Sequence, residues 1–106
     1  MKKISILGST GSIGRQTLQV AEQLGYGVCA LAADRNAELM EQQARRFSPE
    51  LVAMKNEAAA RELARRLSGT KAHARILKYK LHIGAAKLSS ECVFGNGWDR
   101  TGAHVP

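Results

Sequence analysis

Three glycines at intervals of three residues, Gly8, Gly11 and Gly14, are the residues of this sequence best suited to chemistry. They follow a short apolar run and precede a segment with helical spacing, which is typical of a dinucleotide-binding turn. Gly8 would let the chain turn sharply off a strand, Gly11 would keep side chains away from a pyrophosphate, and Gly14 would let the helix approach the sheet. Helix amides and the helix dipole would then bind the phosphates. Thr10 and Ser12 could add hydroxyl donors, and either could cap the helix.

The elements that must position this loop follow from hydrophobic periodicity. The run from Lys2 to Leu7 predicts a first strand that is buried on both faces. A helix follows, and its residues expected to face the sheet are Ile13, Thr17, Val20, Ala21 and Leu24. Gly25 is suited to end this helix. The apolar run at 28–33 then predicts an interior parallel strand, in which Cys29 is a small buried residue.

The second half of the pattern repeats the first. Asn36 is suited to cap a second helix. The apolar face of that helix carries Leu39, Met40, Gln43, Ala44 and Phe47. Ser48-Pro49 ends it, a third strand is predicted at 51–54, and Asn56 begins a third helix that closes near residues 68–69.

This order predicts an α/β fold, namely the first half of a doubly wound, Rossmann-like parallel sheet with three strands and crossover helices, followed by an irregular tail. We expect residues 1–77 to form a partial nucleotide-binding domain. A further strand could begin at Ile76-Leu77, but the periodicity fades there, and residues 78–106 are expected to be an irregular or disordered basic tail.

Composition limits the classes of protein that fit. With 106 residues and 44% hydrophobic content, the chain suits one domain with a modest core. No stretch approaches the roughly 20 apolar residues of a membrane span, so we expect no membrane partner. Two cysteines, Cys29 and Cys92, are too few for a disulfide scaffold and indicate a reducing compartment. The N-terminal run shows no cleavage site, which favours a cytoplasmic protein.

The net charge of +7 raises the question of nucleic acid. The excess is concentrated in residues 71–106, which hold six Lys or Arg against two Asp or Glu. There Lys78, Lys80 and Lys87 lie among Tyr79, Phe94 and Trp98, but their spacing matches no known binding module. We therefore expect no nucleic-acid partner. We also expect no zinc site, because His73, His82, Cys92 and His104 are too widely spaced.

The string from Met1 to Gly14 closely resembles the N-terminus of the 1-deoxy-D-xylulose 5-phosphate reductoisomerases. The resemblance continues through the apolar residues 30–33, through Arg35-Asn36, and through 41–44 with Phe47-Ser48-Pro49. It covers residues 1 to about 70–77, and the tail is unlike the family. A truncated coding region, or a change of reading frame near residues 70–77, would account for this loss of pattern.

The resemblance implies an NADPH-dependent oxidoreductase of the non-mevalonate isoprenoid pathway, which rearranges a phosphorylated ketose and reduces the resulting aldehyde. It also implies a divalent cation, Mg²⁺ or Mn²⁺, and a homodimeric family. The residues that contact NADPH in such proteins correspond here to Thr10, Gly11, Ser12 and Ile13, while Arg35 and Asn36 would lie beside the adenosine 2′-phosphate. The metal and substrate residues of the family lie further downstream, so the chain is expected to be inactive alone, with neither catalytic nor metal-binding residues.

Asp34 departs from the glycine that is usual in this family. An acidic residue about 20 positions after the last glycine suggests a ribose 2′-OH partner and hence NAD. Arg35 suggests a 2′-phosphate and hence NADP, and we favour Arg35 because a guanidinium can bind phosphate with two hydrogen bonds. Asp34 would then point away. Two solvated loop charges remain the alternative.

Two other classes stay open, a fragment of a different NAD(P)-binding dehydrogenase or epimerase and a non-enzymatic basic binding protein. Short-chain epimerases need a Tyr-x-x-x-Lys pair, but Ala30 and Ile83 stand four residues after Tyr26 and Tyr79.

Whichever class of protein applies, a doubly wound sheet places its first strand centrally. With three strands only, the outer edge of that strand would stay unpaired, and we expect the chain to self-associate or aggregate.

Overall fold

The computed structural model describes residues 2–69, 73–76 and 91–95. These residues form β1 (Lys3–Leu7), α1 (Ser12–Leu24), β2 (Gly27–Ala33), α2 (Ala37–Phe47), β3 (Leu51–Met54), α3 (Glu57–Arg66), β4 (His73–Ile76) and β5 (Glu91–Phe94). All strand pairs are parallel, and the sheet has the order β4-β3-β2-β1-β5. The predicted α/β fold with parallel strands and crossover helices is confirmed.

The prediction that the outer edge of β1 is unpaired is wrong. β5 pairs with β1 from Ile4 opposite Glu91 to Leu7 opposite Phe94. The segment 91–94 is too short to show a strand pattern by itself, and its pairing with a buried strand decides its conformation. At the opposite edge of the sheet, β4 pairs with β3 and begins at His73, three residues before Ile76, where the sequence indicates a possible start of a strand. Within the predicted tail 78–106, residues 91–94 form β5 instead of an irregular segment. Residues 78–90 and 96–106 lie outside the described residues, so the domain boundary stays a prediction.

The core lies between the sheet and the three helices. It contains large side chains with no exposed surface, including Ile6 and Leu31 from the sheet and Met40 and Leu63 from the helices. Residues 2–69 thereby hold the carboxyl ends of β1, β2 and β3 in fixed register, with Leu7 opposite Ala32 and Ala33 opposite Met54. No helix in these ranges is both long and apolar enough to cross a membrane.

The face of α1 that meets the sheet differs from the prediction. Gly14, Leu18 and Ala21 are buried, whereas three residues expected to face the sheet are exposed: Ile13 at 41%, Val20 at 50% and Leu24 at 58%. The close approach at Gly14 sets the rotation of the helix, so the residues four and seven positions later face inward.

The ends of α2 and α3 follow the sequence closely. Asn36 accepts a hydrogen bond from the Leu39 amide at 3.1 Å, and Asn56 accepts one from the Ala59 amide at 2.9 Å. Each helix ends in two arginines, Arg45 and Arg46 in α2, Arg65 and Arg66 in α3. Such basic residues complement the helix dipole.

An ion-pair network joins α2 to α3. Glu41 on α2 accepts from Arg66 at 3.0 Å, and Arg66 also donates to Glu62 at 2.9 Å. Hydrogen bonds from Arg65 and then from Arg66 hold the pKa of the Glu62 carboxyl at about 2, well below its ordinary value. Glu41, Glu62 and Arg66 are half-buried and still reached by solvent, so the network fixes the relative position of the helices more than it adds stability.

Candidate functional site

The glycine loop leaves β1 through a backbone conformation that favours glycine. Gly8 has φ of 91°, a region that residues with a Cβ rarely adopt. Its amide and the Ser9 amide both donate to the Ala32 carbonyl of β2, at 2.7 and 3.0 Å. The Gly11 amide donates back to the Gly8 carbonyl at 3.2 Å. The loop is therefore a tight turn anchored to the neighbouring strand.

Gly14 is required by packing. A Cβ at this position would lie 2.1 Å from the Gly8 oxygen and 2.6 Å from Ser9 Cα. Both obstacles are backbone atoms, which no side-chain rotation can move. The predicted close approach of helix and sheet is thus present in the structure.

Gly11 has no such structural requirement. It precedes α1 with φ of −79° and ψ of 175°, which any residue can adopt. A Cβ there would lie 3.5 Å from the Gly8 oxygen, an ordinary contact. The residue is exposed. The fold therefore explains Gly8 and Gly14 and leaves Gly11 to be explained by something that approaches the loop from outside.

The N-terminus of α1 differs from those of α2 and α3. Its N-cap is Gly11, with no side-chain cap hydrogen bond, so neither Thr10 nor Ser12 caps the helix. Its first turn has no acidic residue, while the first turns of α2 and α3 contain Glu38 and Glu57. Among the three described helices, α1 alone thus presents uncapped amides without a neighbouring carboxylate, and such an end attracts anions.

The predicted loop residues are brought together at this end. Thr10 is half-buried, while Gly11, Ser12 and Ile13 are exposed in succession. They occupy the turn before α1 and its first residues. A ligand over the loop would therefore meet two hydroxyl groups, backbone amides and one apolar side chain.

Asp34, Arg35 and Asn36 follow the carboxyl end of β2, the strand to which the loop is anchored. Arg35 donates through Nε to Asp34 Oδ2 at 3.3 Å, and its side chain is 75% exposed. The Asp34 carboxylate lies beside Arg35 because opposite charges on adjacent residues attract each other, and its orientation relative to a bound 2′-phosphate stays a prediction. Asn36 uses its side-chain oxygen to cap α2.

Sequence reasoning missed Gly95, which completes the floor of the site. It is buried directly after β5, and its amide donates to the Leu7 carbonyl at 2.6 Å. A Cβ there would lie 3.1 Å from the oxygens of Leu7 and Gly8. The signal that could have identified Gly95 is the apolar pair Val93-Phe94 before it, because Ile6-Leu7 precede Gly8 in the same way. Because β1 connects to β2 on one side and pairs with β5 on the other, the loop lies at the topological switch point of the sheet.

Metal binding finds no support in the described ranges. Residues 2–69, 73–76 and 91–95 contain no group of three or more His, Cys, Asp or Glu side chains that could hold a metal ion. The resemblance places the ligands of the family's divalent cation further downstream. Cys29 is buried, as predicted. His82 and His104 lie outside the described residues, and so do the three tail lysines and Trp98.

A groove of about 770 Å³ lies between α1 and α2. Its lining includes Glu22 on α1 and Arg46 on α2, which form a two-pronged ion pair with both distances at 2.6 Å. Hydrogen bonding from Arg46 lowers the pKa of Glu22. Arg45, also in the lining, pairs with Glu41, and Arg15 donates through Nε to the Gly11 carbonyl. The charged side chains of this groove thus already have partners, so the glycine loop is the better candidate site.

Comparisons with known proteins agree with this geometry. The sequence model of the family described as 1-deoxy-D-xylulose 5-phosphate reductoisomerase matches residues 4–93. A protein of that name from Acetivibrio thermocellus is 57% identical over 70 residues, which are 66% of this chain and 18% of the relative. One from Prochlorococcus marinus strain NATL1A is 40% identical over 99 residues, 91% of this chain and 24% of the relative. The similarity thus extends beyond the predicted limit of 70–77.

Solved structures give the same result for the fold. The reductoisomerase from Zymomonas mobilis in complex with NADPH has a TM-score of 0.70 and 28% identity, covering 80% of this chain and 22% of that one. A reductoisomerase crystallised with fosmidomycin and magnesium has a TM-score of 0.75 and 22% identity, covering 85% of this chain and 23% of that one. This chain therefore spans about a fifth of the length of the proteins that it matches.

Proposed function

This chain belongs to the 1-deoxy-D-xylulose 5-phosphate reductoisomerase family, and we propose that it is the part that binds NADPH. The full activity, an NADPH-dependent rearrangement and reduction of a phosphorylated ketose in isoprenoid biosynthesis, needs residues beyond those described. The chain spans 18% of one relative and 24% of another. We therefore propose that this chain by itself binds the cofactor and does not catalyse the reaction.

The observation that carries the proposal is Gly11. Its backbone angles and its surroundings would accept a side chain, yet it stands at the exposed, uncapped start of α1. A pyrophosphate that approaches these amides would meet a Cβ at this position. The reductoisomerase from Zymomonas mobilis, which shares this fold, is described in complex with NADPH. A ligand bound at the loop would explain why residue 11 is glycine, which the requirements of the fold do not explain.

We assign the contacts as follows. Thr10, Gly11, Ser12 and Ile13 would contact the pyrophosphate and the adjoining sugar, since they are the consecutive residues at the open helix end. Arg35 and Asn36 would bind the adenosine 2′-phosphate, because they follow the strand next to the loop. When NADPH is bound it supplies the hydride for reduction, and these residues hold and orient it.

Asp34 sets a condition on this assignment. Its carboxylate already accepts a hydrogen bond from Arg35 Nε, but the remaining donors of a guanidinium can still form a fork to phosphate. Both side chains lie near the surface, so the pair itself is weak and can adjust. Arg35 can therefore serve a 2′-phosphate and Asp34 at once.

The test is a titration of the purified chain with NADPH and NADH, followed by fluorescence or calorimetry. We expect tighter binding of NADPH, and Arg35→Ala should remove most of the preference. A charged hydrogen bond contributes about 1.5–3 kcal/mol, or roughly tenfold to a hundredfold in affinity. Arg61→Ala is the matched control, since Arg61 is 70% exposed and also paired with a nearby acid, Glu57. Equal affinities for both cofactors in the parent chain would refute the Arg35 assignment.

We further propose a cytoplasmic location and self-association. A sequence with only two cysteines has too few for a disulfide scaffold, which supports a reducing compartment. The edge of β1 does not explain self-association, because β1 is paired on both sides. It rests instead on the exposed Ile13, Val20 and Leu24, which recur at helical spacing along one side of α1. Such a stripe favours burial against a second protein surface.

A further inference from the structure

Ser9 is the most constrained residue of the glycine loop. It has no exposed surface, and its amide is held by the Ala32 carbonyl of β2. Its carbonyl accepts a hydrogen bond from Gln43 Nε2 on α2 at 2.8 Å, across 34 positions of sequence. Its Oγ lies 3.8 Å from Met40 Sδ, on the same helix. Two separate elements thus hold the backbone on either side of Ser9.

The contact with Gln43 also determines where the next amide points. In a planar trans peptide, the C=O and the following N–H point in opposite directions. Because the Ser9 carbonyl points at Gln43, the Thr10 N–H points away from α2. Thr10 is half-buried, and Gly11, the next residue, is exposed to solvent. The Gln43 carboxamide therefore fixes the orientation of an amide at the candidate phosphate site.

The cost of Gln43 argues against a purely structural role. The residue is 7% exposed, and its Oε1 is buried with no hydrogen-bond partner in the described part of the chain. An unsatisfied buried acceptor destabilises the folded state. A methionine of similar length could fill the same space on the apolar face of α2 without this penalty. The benefit of glutamine is therefore its donor to Ser9.

We infer that Gln43 is a positioning residue for nucleotide binding, which orients the Ser9–Thr10 peptide so that its N–H can donate to a ligand phosphate. The inference rests on the proposed function, since it names a further residue of the same site. It assigns to α2 a direct part in shaping a loop that belongs to β1 and α1. Gln43 itself touches no ligand.

The experiment uses the whole chain with Gln43→Met and Gln43→Glu, and with Gln42→Met as the control because Gln42 is the exposed neighbour. Binding of NADPH and of adenosine 2′-phosphate is measured at pH 6 and pH 8. We expect Gln43→Met to weaken NADPH binding about tenfold. Adenosine 2′-phosphate, which has no pyrophosphate, should bind as it does to the parent. Gln42→Met should change neither affinity.

Gln43→Glu separates positioning from packing. A buried carboxyl beside a carbonyl oxygen has a raised pKa, and only its protonated form can donate to Ser9. Its affinity deficit relative to the parent should therefore be larger at pH 8 than at pH 6. A deficit that is independent of pH, equal losses for both ligands, or no loss at all would overturn the inference. If the parent itself bound no NADPH, the proposed function would fail first, and the two failures are thereby distinguished.

Discussion

Replacing Gly14 by alanine gives the sharpest test of how the loop is built. The added Cβ would lie 2.1 Å from the Gly8 oxygen, 2.6 Å from Ser9 Cα and 2.8 Å from the Gly8 carbonyl carbon, distances that folded proteins do not tolerate. The loop or the start of α1 must therefore shift. Overpacking of this kind costs about 3 kcal/mol. Alanine in a helix is more favourable than glycine by about 1 kcal/mol, which offsets part of this cost. We expect a net loss of about 2 kcal/mol.

The assay is thermal and urea unfolding of the parent, Gly14→Ala and Gly11→Ala, followed by circular dichroism. For a chain of this size, a loss of about 2 kcal/mol lowers Tm by roughly 8–16 °C. Gly11→Ala should stay within about 0.5 kcal/mol of the parent, because its Cβ meets only an ordinary 3.5 Å contact. It should nevertheless bind NADPH more weakly. Unchanged or higher stability of Gly14→Ala would refute the packing argument, and unchanged affinity of Gly11→Ala would refute the ligand argument.

Three further outcomes are expected. The pKa of Glu62 is lowered to about 2. Its ionised carboxylate therefore stabilises the folded state above pH 4.5, and this contribution is lost as the pH falls towards 2. Glu62→Gln should make the fall in stability over that pH range less steep. Light scattering after size exclusion should show association that weakens in Val20→Lys and Leu24→Lys, and a monodisperse parent monomer across a dilution series would contradict it. NADPH oxidation with 1-deoxy-D-xylulose 5-phosphate and magnesium should show no turnover by this chain, and a rate within a thousandfold of about 10 per second would refute the proposed inactivity.

The predictable parts of the fold are those set by local chemistry. Asn36 and Asn56 cap helices where the sequence places them, and Gly25 ends α1 with φ of 72°. The order of the first three strands follows from apolar runs separated by helices. β5 was not predictable in this way, because four residues carry little periodicity and their strand conformation depends on pairing with β1.

The errors at α1 have a different physical origin. Counting apolar residues favoured a face through Ile13 and Val20, but the helix is rotated so that Gly14 meets the loop. A residue without a side chain contributes nothing to a hydrophobic pattern. The strongest constraint on the helix was therefore invisible to periodicity, although the glycine itself was recognised for its close approach.

Within the glycine motif of the candidate site, some residues are explained by the fold and one is not. Gly8 and Gly14 are explained by a left-handed turn and a backbone contact, so they would be needed in any protein with this loop. Gly11 is explained by neither, and it is therefore the glycine for which we propose a requirement set by a ligand. The Ser9–Gln43 hydrogen bond adds a part of the site that no local motif contains, since it joins residues 34 positions apart. Under the proposed function, the glycine triplet marks the phosphate site, and the peptide that would face the phosphate is oriented by the neighbouring helix α2.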